Sequence, residues 1–371
     1  MLSKQEKSHF RSLANCIADH YQMIKRDLPW RLTNDPYLIW ISEIVLQQTR
    51  VDQGTPYYTA ITERFPSVYD LAMANEEEVL KLWQGLGYYS RARNLHAAAK
   101  QVVEQFNGDF PLEYKTLLGL KGIGPYTAAA ISSICNNEAV ATVDGNVYRV
   151  ISRIFGIEDA IDSTSGKKTF QILADELLDR TDPGTHNQAM MEFGALVCTP
   201  KNPSCASCPL MNDCIAFSEG KVSDLPLKEK KLTKRERYFY YFDLRQNGYV
   251  WLEQRTEKDI WQNMYQLPLI ESKVKIGAEE AFMNFTNKYE LSKEHLTIDH
   301  ATAPIKHILS HQKLHISFIK LSSSSNILSE PNEEDYSLEQ IGTHSKPLPK
   351  PIEEYLNNTT RSVDNTGSEG S

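Results

Sequence analysis

Four cysteines, Cys198, Cys205, Cys208 and Cys214, fall within 17 residues in the pattern C-x6-C-x2-C-x5-C. Thiolates at such spacings hold either a zinc ion or an iron–sulfur cluster. Zinc sites usually show two short pairs, and here Cys205 and Cys208 form the only one, so the spacing leans toward a cluster and leaves zinc open. The other two cysteines, Cys16 and Cys135, stand alone in helix-like surroundings and read as small buried side chains. Two carboxylates invite opposite chemistry. Glu43 sits in the apolar run Trp40-Ile41-Ser42-Glu43-Ile44-Val45-Leu46 and reads by itself either as a solvated helix glutamate or as a desolvated carboxyl whose raised pKa would keep a proton available near neutrality. Asp144 precedes Gly145-Asn146 at a helix start, where backbone N–H groups can hold an ionised carboxylate. A third signal is Leu118-Gly119-Leu120-Lys121-Gly122-Ile123-Gly124-Pro125-Tyr126-Thr127-Ala128. Gly122 and Gly124, followed by Pro125 at a helix start, predict a tight hairpin between two helices whose amides suit a phosphate. No strand precedes it, and Thr127 stands where a dinucleotide fingerprint needs its third glycine, so a cofactor loop is not expected.

The elements that must position these residues are mostly helical from residue 3 to about 197. Apolar residues recur at spacings of three and four, as in Leu13, Ile17 and Tyr21, or Val79, Leu82 and Trp83. Thr33-Asn34-Asp35-Pro36, Asn75 before Glu76-Glu77-Glu78, Asn107-Gly108-Asp109 and Thr181-Asp182-Pro183-Gly184 punctuate the helices. Residues 221–237, polar and Pro-containing, read as a linker between domains 1–220 and 238–356. Beyond it the period shortens. Tyr238-Phe239-Tyr240-Tyr241-Phe242 and Tyr249-Val250-Trp251-Leu252 flank the hairpin signal Gln246-Asn247-Gly248. A helix over Ala278–Tyr289 and a strand over Leu314–Ile319 complete a small α+β domain, and 357–371 lacks apolar content and reads as a disordered tail.

Composition sets the outer limits. The chain has 371 residues, 41% hydrophobic and 24% charged, which are globular proportions that exclude collagen, coiled coil and wholesale disorder. No stretch reaches the ~18 apolar residues of a membrane span, and no leader is visible, so a soluble cytoplasmic protein with reduced thiols is expected. Net charge is −8, divided as −6 over residues 1–220, +4 over 221–237 and −6 over 238–371. Bulk charge therefore gives no support to nucleic-acid binding, and any such contact has to come from local clusters and backbone amides.

Hairpin and cysteine loop together resemble the helix-hairpin-helix DNA glycosylase superfamily with its [4Fe–4S] loop. Finer detail narrows the likeness. Leu28-Pro29-Trp30-Arg31, Ser42-Glu43-Ile44-Val45-Leu46-Gln47-Gln48-Thr49, Gly85-Leu86-Gly87-Tyr88-Tyr89-Ser90-Arg91-Ala92-Arg93-Asn94-Leu95 and Val143-Asp144-Gly145-Asn146-Val147 resemble the adenine DNA glycosylases of the MutY family. The likeness is strong over about residues 25–215 and looser over 238–355, which resembles a Nudix-like module. It implies a mostly α glycosylase domain with an iron–sulfur loop, an α+β second domain, one [4Fe–4S] cluster on the four cysteines, and double-stranded DNA as partner. The implied reaction is excision of adenine mispaired with 8-oxoguanine, by a monomer.

Breaking a glycosidic bond through an oxocarbenium-like transition state needs an acid for the leaving base and an anion near the sugar. The family gives Glu43 the first role and Asp144 the second, with Tyr126 and Asn146 hydrogen-bonding around them. In bifunctional relatives resembling endonuclease III a lysine stands at the position of Tyr126 as a Schiff-base nucleophile, so β-elimination is not expected here. Trp30, Arg31, Leu46, Val51, Gln188 and Met191 match pocket positions for a flipped base, and Gln48 and Tyr88 match residues that wedge into the gap. Arg91 and Arg93 read equally as phosphate ligands or solvated charges. His307-Ile308-Leu309-Ser310-His311 resembles the loop that reads 8-oxoguanine through Ser310 and His311, although members often carry Phe where Leu309 stands. The pyrophosphatase signature of true Nudix enzymes is missing. Two rivals remain: a bifunctional glycosylase/lyase, against which Tyr126 and the second domain argue, and a non-catalytic DNA-binding module, against which the Glu43–Asp144 pair argues.

Overall fold

A computed structural model describes residues 3–229, 234–326, 337–340, 342–343 and 345–364. The chain forms two compact units, Met1–Met73 with Asn94–Lys231, and Ala74–Arg93 with Leu232–Ser371. The first is helical. Its opening helix, Lys4–Ile24, starts from a reciprocal cap in which the Ser3 hydroxyl accepts from the Glu6 N–H and the Glu6 carboxylate accepts from the Ser3 N–H. Its apolar stripe, Phe10, Leu13, Ile17 and Tyr21, packs on Val147, Val150, Ile151 and Ile154 and on Ala189, Met190 and Phe193. Those two groups belong to helices Gly145–Phe155 and Pro183–Leu196, which carry several of the site residues. Helix Pro36–Val45 is capped by Asp35 and buries Trp40, Ile41, Ile44 and Val45. The predicted hairpin joins helices Tyr114–Leu117 and Pro125–Asn136, with Gly122 at φ +75°. A Cβ on Gly122 would lie 2.6 Å from that of Asn94, so both space and backbone demand glycine there.

Among the described residues the second unit is built on an eight-stranded mixed sheet: β1 (Arg235–Gln246), β2 (Tyr249–Gln254), β3 (Tyr265–Gln266), β4 (Leu269–Ser272), β5 (Leu296–Ala301), β6 (Ile305–Ile308), β7 (Gln312–Ser323) and β8 (Ser337–Gln340). The Asn247-Gly248 turn has φ +54° and +82° and joins β1 to β2 in the register Gln246↔Tyr249, as a two-residue hairpin requires. β1 runs parallel to β7, from Arg235↔Gln312 to Leu244↔Leu321. Successive side chains of these strands face opposite sides of the sheet. Phe242 stacks on Phe285 of helix Ala278–Lys288 at 4.1 Å, and Phe318 stacks on Tyr355 of helix Lys350–Asp364 at 4.0 Å.

Four boundaries differ from the sequence reading. Residues 221–229 dock back on the helices: Leu225 is 3% exposed, its carbonyl accepts from Arg153 Nε, and the Leu227 carbonyl accepts from the Ile161 N–H. β1 already begins at Arg235, and residues 230–233 of the expected linker lie outside the described residues. The last helix continues through 357–364 of the expected tail because Thr359 bonds back to the Tyr355 carbonyl and accepts from Arg245, while 365–371 lie outside the described residues. Residues 74–93 belong with the C-terminal unit rather than with the helices around them in sequence. Among the described residues no helix is long and apolar enough to cross a membrane.

Candidate active site

One cleft of about 1420 Å³ in the helical unit gathers Glu43, Tyr126, Asp144 and Asn146. Small-molecule pockets hold roughly 300–1,000 Å³, so this cleft suits a larger ligand that inserts one of its groups. Glu43 projects into it from a helix whose neighbouring side chains, Ser42, Ile44 and Val45, are buried. Burial, helped by the nearby Asp144 carboxylate, raises its pKa to about 7 against the opposing hydrogen bond from Tyr126 and the charge of Arg31. The Tyr126 hydroxyl also lies 3.2 Å from Met191 Sδ, and burial, with the two carboxylates beside it, raises its pKa well above the usual phenol value.

Asp144 is the N-cap of helix Gly145–Phe155. Its Oδ1 accepts from the Asn146 and Val147 N–H groups at 2.9 and 2.8 Å, and its Oδ2 accepts from Asn146 Nδ2 at 2.8 Å. Burial raises its pKa, and these three donors, with Arg149, pull it back toward the ionised form. Arg149 fixes which way the Asn146 amide points: its Nη2 donates both to Asn146 Oδ1 and to the Gly194 carbonyl at 2.7 Å, while its Nε donates to the Cys198 carbonyl. Gly194 makes this possible, because a Cβ there would lie 2.6 Å from that of Asn146. Neither Arg149 nor Gly194 was among the expected site residues. An isolated glycine inside the helical run Glu192-Phe193-Gly194-Ala195-Leu196 was the available signal.

The expected pocket residues Trp30, Arg31, Leu46, Val51, Gln188 and Met191 line the same cleft, as do Gln48, Gly122 and Gly124. Trp30 meets Tyr58 edge-on at 5.1 Å, and Gln188 accepts from the Tyr21 hydroxyl at 3.0 Å. Arg31 is held by an acid the sequence reading missed. Glu192, 2% exposed, accepts from both Arg31 and Arg26. Burial pushes its pKa up, but the two guanidinium groups more than reverse this and hold it at about 2. The run Met190-Met191-Glu192-Phe193 carries the same sequence signal as Glu43, an acid among apolar neighbours. Partners unknown to the sequence send the two in opposite directions.

Cys198, Cys205, Cys208 and Cys214 surround one small cavity whose other walls include Ile154, Phe193, Val197 and Leu210. All four are free thiols, and Arg153 reaches Cys198 Sγ at 3.4 Å. Among the described residues no three His, Cys, Asp or Glu side chains converge tightly enough to ligate a single ion. Four thiols lining one cavity are the donor chemistry that holds zinc or an iron–sulfur cluster.

Tyr88, Ser310 and His311 lie in the other unit around a second cavity. The Tyr88 hydroxyl is hydrogen-bonded to Ser310 Oγ, and Tyr88, at φ +51°, is 44% exposed. Arg91 corrects the expectation of a phosphate ligand. It is 8% exposed, its guanidinium lies over the rings of Trp83 and Tyr88, and one nitrogen donates to the Gly87 carbonyl. Burial lowers its pKa to about 10. The turn at Gly85 and Gly87 folds the chain over the arginine and takes it away from the surface.

Residues 41–176 match the HhH-GPD superfamily of base excision DNA repair proteins, and residues 240–358 match the NUDIX domain. The chain is 35% identical over 335 residues to the adenine DNA glycosylase of Buchnera aphidicola subsp. Schizaphis graminum, covering 90% of this chain and 94% of that one. It is 45% identical over 205 residues to the adenine DNA glycosylase of Homo sapiens, covering 53% of this chain and 38% of the human protein. Among solved structures it is similar to a thermostable thymine-DNA glycosylase, with a TM-score of 0.54, 29% identity, and coverage of 58% of this chain and 98% of that one. A trapped endonuclease III–DNA covalent intermediate shares the fold at a TM-score of 0.51 and 21% identity, over 59% of this chain and 99% of that one. With likeness to a bacterial relative running through both units, the chain belongs to the adenine DNA glycosylase family.

Proposed function

We propose that this protein excises adenine mispaired with 8-oxoguanine from duplex DNA as a monofunctional glycosylase acting as a monomer in the cytoplasm. The observation that carries the reading is the pair of unlike carboxyls in one cleft: Glu43 with its pKa near 7, and Asp144 held by three N–H donors, with Tyr126 beside both. Adenine leaves the stack and enters the cleft. Protonated Glu43 donates to adenine N7 as the glycosidic bond stretches, and the Asp144 carboxylate stabilises the positive charge that develops on the sugar. Tyr126 replaces the lysine a lyase would need, so no Schiff base forms and water completes hydrolysis. Gly122 and Gly124 support a phosphate contact at the hairpin. A duplex with one 8-oxoguanine opposite adenine tests the whole reading. Incubation and then hot alkali should cut the strand at that adenine. A cut without alkali would mean a lyase, and no cut in either case would reject the glycosylase.

The four-cysteine cavity supports one [4Fe–4S] cluster, held by Cys198, Cys205, Cys208 and Cys214, as a structural cross-link within the loop, which Arg153 of helix Gly145–Phe155 meets at Cys198. When bound it supplies cross-linking of the loop and no step of the hydrolysis. Purified protein should be yellow-brown and contain about four irons per chain with little zinc. Stoichiometric zinc from iron-sufficient cells would reject the assignment.

Adenine is an undamaged base, so the opposite base has to signal the lesion. 8-Oxoguanine differs from guanine in an O8 acceptor and an N7 hydrogen, which hydroxyl and amide groups near Ser310 and His311 can address. Ser310→Ala with His311→Ala should cut the preference for 8-oxoguanine over guanine opposite adenine roughly tenfold or more, from one or two hydrogen bonds of ~1–2 kcal/mol. Single-turnover rates and affinities on both duplexes at matched salt measure it. Unchanged preference would move lesion reading elsewhere, with the Gln48 and Tyr88 wedge as the next place to look.

A further inference from the structure

The loop that carries Tyr88 belongs to residues 74–93, and polar contacts bracket it on both sides. Before the loop, Lys346 Nζ lies 3.1 Å from Glu77 Oε1, and Lys81 Nζ donates to the Lys346 carbonyl at 3.1 Å. Gln84 Oε1 accepts from the Leu348 N–H at 2.9 Å. Asn263 Nδ2 donates to Glu76. After the loop, Arg93 donates to the Gln262 carbonyl at 2.9 Å. Between these anchors Gly85, Gly87 and Tyr88 all take positive φ, and the loop ends in the Tyr88–Ser310 hydrogen bond. Tyr88 and Ser310 are 222 residues apart, and one hydroxyl pair alone is too weak to fix their separation against solvent.

We propose that Glu77, Gln84, Arg93 and Lys346 are positioning residues for lesion recognition, holding the Tyr88 loop to residues 262–263 and 346–348 so that Tyr88 and Ser310 meet the DNA as one preassembled element. This rests on the reading that Ser310 and Tyr88 act at the base opposite adenine. None of the four lines the cleft that holds Glu43 and Asp144, so they bear on how the lesion is read and leave the chemistry at adenine alone. The Glu77–Lys346 pair is partly exposed, and its direct contribution to stability is small. Its proposed effect is geometric, because a loop free to sample other positions binds with only the fraction of molecules that are correctly arranged.

The test uses the full-length protein with its cluster. Glu77→Lys and Lys346→Glu, each alone and then combined, are compared with wild type on duplexes carrying adenine opposite 8-oxoguanine or guanine. Hydrogen exchange of residues 84–90 is followed on the free proteins. Each single reversal should weaken binding to the 8-oxoguanine duplex three- to tenfold, leave the single-turnover rate at saturating enzyme on the guanine duplex unchanged, and speed exchange in the loop. The combined swap should restore both binding and protection, which a merely misfolded variant would not do. Gln84→Ala offers a milder variant with the same expected signature. Faster exchange with unaltered lesion preference would overturn the proposal, as would a swap that restores neither. If wild type itself shows no preference for 8-oxoguanine, the functional reading fails instead, and exchange still reports whether these contacts hold the loop.

Discussion

Glu43→Gln should reduce the single-turnover rate of adenine excision by about 10²–10⁴-fold while leaving affinity for the mispaired duplex nearly unchanged. The amide keeps the size of the side chain and can still accept from Tyr126, but it has no proton to give to the leaving base. What is lost is an interaction made only in the transition state. The wild-type pH profile should carry the same signature. With a pKa near 7, Glu43 is protonated and active below that value, so the rate falls on the alkaline side as pH rises through about 7. Stability gives a readout separate from catalysis. The folded-state pKa lies above the ordinary value of 4.5, so the native state holds a proton that the unfolded chain releases. The corresponding stability is present below about pH 4.5 and is lost as pH rises through about 7, on the order of 3 kcal/mol for such a shift. Glu43→Gln should therefore melt above wild type at pH 8.5, and the gain should shrink at pH 5. Near-native turnover in the variant would remove Glu43 from the role of acid.

Asp144→Asn should lower the excision rate by about 10²–10³-fold, the usual cost of losing one preorganised stabiliser of transition-state charge. Two effects combine. The negative charge disappears, and the replacement conflicts with its own neighbours. Three N–H donors converge on the two carboxylate oxygens, whereas an asparagine has one oxygen and one amino group. With its oxygen on the Asn146 and Val147 amides, its amino group would face Asn146 Nδ2. Asn146 cannot relieve the clash by turning over, because Arg149 holds its oxygen at 2.7 Å. Stability through the cap itself should change little, because asparagine caps a helix about as well as aspartate. In wild type the rate should fall on the acid side as Asp144 becomes protonated. Burial moves that limb above the ordinary aspartate range. Rapid excision by the variant would assign charge stabilisation to another group.

How the two carboxyls differ was legible in part before any coordinates. An acid amid Ile, Val and Trp is desolvated wherever its helix packs, and an aspartate before Gly145-Asn146 caps the helix that follows. Both statements are local, and helix Pro36–Val45 and the cap at Asp144 conform to them. Hairpin, turn and cap signals held for the same reason, since two or three consecutive residues set them. The Asn247-Gly248 turn required positive φ at both positions and has it.

Local pattern failed wherever the partner lay far away in the chain. Glu192 has the apolar neighbours of a raised-pKa acid, yet Arg26 and Arg31, more than 160 residues earlier, hold it at about 2. Arg91 resembles a surface cation, yet the turn at Gly85 and Gly87 lays it over Trp83 and Tyr88. Residues 221–229 have the composition of a linker, yet Leu225 is buried because Arg153 and Ile161 take up neighbouring carbonyls. The sequence by itself determined the helical and mixed halves, the four-cysteine spacing, the hairpin and the cap at Asp144, because each is written in spacing or in immediate neighbours. Only the tertiary structure decided that residues 74–93 join the C-terminal unit, that β1 pairs in parallel with β7, and that Arg149 orients Asn146 toward Asp144. Those outcomes depend on which distant groups meet, and a buried charge takes its pKa and its hydrogen bonds from whatever it meets there.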